Sequence, residues 1–157
     1  MKYFSNKVLW SIIVLLAAAL AITTAIKLSP LLNPPQEISL ALNTACDLHQ
    51  GPCAASLPGG GQLEFSLEPR PIPVLKPLKL QVRMTGFKAD AVEVDFAGMD
   101  MKMAFNRPRL ISVKDGLHTG EATLPVCVRD QMAWKATVLV KSDGKRIAVP
   151  FRFETKR

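Results

Sequence analysis

The sequence predicts a mainly β domain carried behind one N-terminal transmembrane helix, and three observations lead to it. An uncharged apolar run opens the chain. Apolar and polar residues alternate with a period of two after residue 60. Nothing beyond residue 28 shows sustained helical spacing with caps. At 157 residues there is room for one domain and a short appendage. The expected boundaries are 1–27 for a membrane anchor, 28–61 for a Pro/Gly-rich linker holding Cys46 and Cys53, and 62–157 for the β domain.

The apolar run VLWSIIVLLAAALAITTAI covers nineteen residues, Val8 to Ile26, with Ser11, Thr23 and Thr24 its hydroxyls. A helix rising about 1.5 Å per residue nearly spans a hydrocarbon layer of roughly 30 Å. Trp10 lies near its start, where an indole prefers the membrane interface. A cleaved secretory signal is the competing reading, with Ala19 and Ala21, or Thr23 and Ala25, as the small residues a peptidase needs. Such signals have an apolar region of only about 7–15 residues, so the length favours an uncleaved anchor. Both readings give one topology. Lys2 and Lys7 stay in the cytoplasm, and everything after Lys27 is exported, which places the domain in the periplasm of a bacterial-type inner membrane.

The formal charge is +7. Removing Lys2, Lys7 and Lys27 from the 20 Lys and Arg leaves 17 against all 13 Asp and Glu. These charges are interspersed, with no basic stripe and no cluster of aromatics between them, so a nucleic-acid surface is not expected. The partners expected are the bilayer, through the anchor, and a membrane or periplasmic protein.

Pro30, Pro34 and Pro35 make the start of the linker an extended spacer. Cys46 and Cys53 follow, with Gly51 and Pro52 able to turn the chain between them. In an oxidising compartment the simplest outcome is a Cys46–Cys53 disulfide. The alternative is a thiol pair with His49 between, ligating a soft metal or acting as a redox couple. Cys127 is then the odd thiol, or the long-range partner of either.

Leu63, Phe65 and Leu67 alternate with Glu64, Ser66 and Glu68; Leu78, Leu80 and Val82 with Lys79, Gln81 and Arg83; Val92, Val94 and Phe96 with Glu93 and Asp95. Each set puts apolar residues on one strand face. At Gly98 the phase changes to odd positions, Met99, Met101, Met103 and Phe105, which requires a turn or bulge near Ala97-Gly98. Further strands are expected over 110–113, 122–128, 134–140 and 147–153, with turns at Asp115-Gly116 and Ser142–Lys145. The proline-punctuated run from Arg70 to Pro77 suits an edge or a crossing. About eight short strands separated by Gly, Pro and Asp turns predict an immunoglobulin-like antiparallel β-sandwich.

Enzymatic constellations are sparse: no phosphate loop, no nucleophile elbow, no metalloprotease helix, and only His49 and His118 as histidines. The chain is expected not to be an enzyme. The distinctive segment is Gly98-Met-Asp-Met-Lys-Met103. Thioether sulfur is soft and selects Cu(I). On a strand, successive same-face methionines stand about 6.5–7 Å apart, so a Cu(I) site would need His118, Cys127 or Met132 from neighbouring strands as well as Met99, Met101 and Met103. The same residues also make an ordinary core face, with Met as an adaptable filler. Met99, beside the Gly98 break, is the one expected to reach solvent.

The order of features resembles the YtkA-like and FixH-like exported domains. It rests on the Met-rich segment, Asp115-Gly116-Leu117-His118-Thr119-Gly120, Leu124-Pro125, Met132-Ala133-Trp134 and Phe151-Arg152-Phe153, over roughly residues 78–154. The chain departs from that pattern at Gln131-Met132-Ala133, where a glycine would precede the tryptophan, and its cysteines have no counterpart there. The resemblance implies an immunoglobulin-like fold and a role in copper handling or in assembly of a respiratory haem-copper oxidase. The rival expectation is a metal-free module that binds a membrane complex through an edge strand or loop.

Fractionation should leave the full-length chain in the membrane pellet, with the C-terminal domain open to protease from the periplasmic side. A soluble mature form starting near Ile22 or Ile26 would overturn the anchor while keeping export.

Overall fold

The computed structural model describes residues 6–32, 37–101, 103–125 and 130–156, and the chain divides into two compact units, 1–35 and 36–157. The first unit contains helix α1 (Asn6–Leu32), which ends five residues beyond the expected anchor boundary at residue 27. Its span Asn6–Leu28 is long and apolar enough to cross a membrane, and none of those side chains is buried. The hydroxyls within it bond back to the helix: Ser11 donates to the Lys7 carbonyl at 2.8 Å, Thr23 to Ala19 at 3.0 Å and Thr24 to Leu20 at 2.7 Å. That leaves no hydroxyl donor of the span needing water, the condition hydrocarbon imposes.

The second unit contains β1 (Glu37–Ser39), β2 (Cys53–Ser56), β3 (Gln62–Glu68), β4 (Pro77–Thr85), β5 (Ala91–Gly98), β6 (Arg109–Lys114), β7 (Leu117–Thr123), β8 (Gln131–Ser142) and β9 (Lys145–Lys156). They form one mixed nine-stranded sheet in the order β1-β9-β8-β5-β6-β7-β4-β3-β2. Its pairs are antiparallel except β1 with β9. The sheet curls. Phe65 of β3 and Phe151 of β9 stand far apart in strand order, yet their ring centroids are 5.4 Å apart.

The period-two expectation holds on β3, β4 and β5. Leu63, Phe65 and Leu67, then Leu78, Leu80 and Val82, then Val92, Val94 and Phe96 are all buried in one core. β8 and β9 each run to twelve residues, beyond the spans expected, and β7 lies earlier than the expected 122–128, of which 126–128 fall outside the described residues.

The segment expected to be a linker is part of the folded unit from residue 36 onward. β1 lies beside β9, β2 beside β3, and Leu48 and Leu57 enter the core. Cys46 and Cys53 are disulfide-bonded, with Cα atoms 5.8 Å apart. His49 does not sit between free thiols; its Nε2 lies 2.6 Å from the Glu154 carbonyl oxygen, which accepts the ring proton and ties the loop to β9.

Trp134 is the fourth residue of β8. It is fully buried, stacks on Phe153 with ring centroids 6.3 Å apart, and its Nε1 donates to the buried Thr155 hydroxyl at 2.9 Å. Phe153 in turn meets Phe96 edge-on. Replacing Trp134 with Ala should cost about 3–5 kcal/mol, enough to unfold a marginally stable domain, whereas Thr155→Val should cost only about 1–3 kcal/mol for the orphaned indole donor. Thermal melts of the two variants check the order; a Trp134→Ala melt near wild type would refute it.

Candidate functional site

The methionines do not form a strand. β5 ends at Gly98, where it pairs with Trp134, and the Met99 N–H donates to the Ala133 carbonyl at 3.0 Å. The chain then reverses. Phe96 N–H donates to Asn106 carbonyl at 3.0 Å and Val94 N–H to Pro108 carbonyl at 3.1 Å, in the same register as Val92 with Leu110. Residues 97–105 therefore join the two arms of a long hairpin, with Ala97 and Gly98 still paired to β8, 99–105 forming its loop and Lys102 outside the described residues. The expected strand and core face are both corrected here. Alternation beyond Gly98 has no neighbouring strand to bury it, so Met99 is 45% exposed, Met101 37% and Phe105 78%. Met103 alone of the stripe packs against the core, as a half-buried residue.

The loop still gathers sulfur. A Cβ at Gly98 would fall 2.6 Å from Met132 Cε, 2.9 Å from the Met101 carbonyl oxygen and 3.2 Å from Met103 Sδ. Gly98 is thus required for space, because the Met132 and Met103 side chains close over its bare backbone. Met132 is buried at the start of β8, below the loop. The open groove here is about 610 Å³ and is lined by Gly98, Met99, Met101, Met103 and Phe105 among others. Its rim is organised by Arg107, which pairs with Asp95 at 3.2 Å and lies 4.8 Å over the Phe105 ring. Arg107 and Asp95 carry no sequence signal, since an isolated Arg and Asp look like any solvated pair until the hairpin register brings them together.

Met99, Met101, Met103 and Met132 are thus brought together around one glycine. Cys127 lies outside the described residues. His118 is at the other end of β7. Asn106, at the base of the methionine loop, donates from Nδ2 to the Thr123 carbonyl at 3.1 Å, and His118 is five residues up the strand from Thr123, on the order of 16 Å away at strand rise. It does not join the methionines. Among the described residues no three His, Cys, Asp or Glu side chains come together, so metal chemistry at the loop would rest on thioethers.

His118 faces inward beside Val82 and Ser112 and is 7% exposed, and its Nδ1 has no hydrogen-bond partner. It lines an open cleft of about 1170 Å³ between the chain from Arg83 to Val92 and the strand from Arg109 to Ser112. Burial holds its pKa below the ordinary 6.5, only partly opposed by a backbone hydrogen bond to Gly116. The charged groups around this cleft are Arg83, Lys88, Asp90, Arg109 and Asp115.

Compared with family models, with curated proteins and with solved structures, the chain finds no match.

A histidine kept neutral by the fold binds protons more readily when unfolded. Its contribution is fully present above the ordinary pKa of 6.5 and is lost as pH falls through 6.5 toward the lower folded value. The melting temperature should therefore drop as pH is lowered from about 7.5 to about 5.5, a window in which ordinary carboxylates hardly titrate. His118→Gln should flatten that slope; an unchanged slope in the variant would show that His118 is not its source.

Proposed function

We propose that this chain is a membrane-anchored accessory protein whose exported domain handles Cu(I) at the methionine loop, in service of assembling a respiratory haem-copper oxidase. In this reading Lys2 and Lys7 keep the N-terminus cytoplasmic, α1 stays uncleaved in the inner membrane, and the curled sheet is an immunoglobulin-like sandwich. The observation that carries it is the convergence at Gly98, where Met103 and Met132 close over one backbone position while Met99 and Met101 lie open beside them. Thioethers ligate soft Cu(I) in preference to hard cations. A half-open arrangement also suits an ion that must be taken up and passed on. The family resemblance supplies the oxidase as client.

One observation favours the metal-free reading. Phe105 is the most exposed of the loop's apolar side chains and is held beneath the Arg107 guanidinium, as a docking residue would be. In that reading the methionines are adaptable contact surface.

A Cu(I) titration of the full-length protein in detergent, under reducing conditions with a competing chelator, separates the two. Binding tighter than about micromolar is expected, with Met103→Leu and Met132→Leu each weakening it at least about tenfold while costing less than about 1.5 kcal/mol in stability. Absence of micromolar binding would remove the copper reading. Loss of oxidase activity in Phe105→Ser with Cu(I) affinity intact would favour docking.

A further inference from the structure

β6 leaves β5 early. Val92 pairs with Leu110 and Glu93 with Arg109, and the next two pairs in that register would set Ile111 opposite Ala91 and Ser112 opposite Asp90. The chain takes another course, because the Asp90 N–H donates to the Lys141 carbonyl of β8 at 2.8 Å. Among the described residues, β6 beyond Leu110 pairs only with β7. Its other edge, at Ile111 and Ser112, borders the same cleft that His118 lines.

Three features of that edge are unlike a protected one. Ile111 and Val113 are 73% and 56% exposed, β-branched residues where a solvated strand carries polar ones, and Val113 falls where the register with β7 shifts between Ser112 and Lys114. The buried Nδ1 of His118 lacks a partner on the wall of the cleft. Arg83, Lys88 and Arg109 line the cleft against Asp90 and Asp115, and Asp90 already accepts from the Asp143 N–H at 3.2 Å.

We infer that the free edge of β6 is a strand-addition site for an extended, acidic segment of a partner protein. Backbone groups from Ile111 to Lys114 supply a ladder that bends at the register shift around Val113, Ile111 packs against side chains of the incoming strand with the exposed Val113 beside it, and the basic side chains of the cleft select acidic flanks. A second copy of this chain fits poorly. The strand of a second copy is bounded by Arg109 and Lys114, so it would bring cations rather than acidic flanks to the Arg83, Lys88 and Arg109 side of the cleft. The site is independent of the methionine loop and stands whether or not that loop takes Cu(I).

The test uses the full-length protein in detergent micelles and a fluorescent peptide alternating Val and Thr, flanked at each end by Glu pairs. Saturable binding is expected, with hydrogen-exchange protection appearing at Ile111 to Lys114. The same peptide flanked by Lys pairs should bind at least about tenfold more weakly, and Ile111→Lys and Val113→Lys should each weaken the acidic peptide by a similar factor. Both positions are exposed, so the variants should melt like wild type; where a lysine variant melts early, Ile111→Thr is scored instead for a smaller loss. The inference fails if the acidic peptide does not bind at about millimolar concentration, or binds equally well to the variants, or no better than its Lys-flanked counterpart. It also fails if sedimentation finds a dimer that Ile111→Lys dissolves, since the occupant would then be a second copy.

Discussion

At Leu110 the sixth strand exchanges one neighbour for another: its first two residues pair with β5, and from Ile111 onward its partner is β7. That short double allegiance joins β1, β9, β8 and β5 to β7, β4, β3 and β2 in one sheet. It lets the two ends face each other. The inward side chains of all the long strands then meet in a single core, with Phe65 against Phe151 and Phe96 and Trp134 against Phe153. Gly120 lies where β6 crosses, and a Cβ there would come within 3.2 Å of Leu110 Cγ, so the crossing is close-packed.

The same geometry leaves two openings of different chemistry. Where β5 and β8 run out, the chain has to reverse, and the returning loop brings thioethers over Gly98. Where β5 starts and β6 has turned away, the core has a mouth with a buried, neutral-leaning histidine and a cationic rim. The Asp115-Gly116 turn closes one side of that mouth. Gly116 has φ +72°, and a Cβ there would sit 2.1 Å from the Met84 carbonyl oxygen, so backbone rather than side chain fills the corner. Proposing one ligand set from His118 and the methionines would require these openings to be one; the length of β7 keeps them apart.

The segment before residue 62 shows how little buried surface is needed to turn a tether into part of a domain. Leu48, Cys53 and Leu57 enter the core, the disulfide closes the loop between Cys46 and Cys53, and His49 anchors it to β9. Its two short strands cover part of the outer edges of β9 and β3, along Arg146–Ala148 and Gln62–Phe65. Protection of those edges makes the open stretch of β6 more conspicuous.

What the sequence by itself determined is whatever depends on neighbours a few residues apart. Apolar residues two apart marked β3, β4 and β5 and their buried faces. The charge-free run marked α1, Asp115-Gly116 and Asp143-Gly144 marked turns, and the spacing of Cys46 and Cys53 with Gly51-Pro52 between marked the disulfide. Of the candidate site, the methionine spacing and the break at Gly98 were readable, as was solvent contact at Met99. What only the tertiary structure decided is where partners stop. Alternation from Met99 to Phe105 has the local form of a strand, but a strand needs a neighbour to pair with, and β8 offers none beyond the Met99–Ala133 bond. Likewise β1 and β2 are too short to show a period, and the separation of His118 from Met132 follows from which strands lie between them. Side-chain periodicity is written along the chain, whereas hydrogen-bond partnership is settled between segments far apart in it.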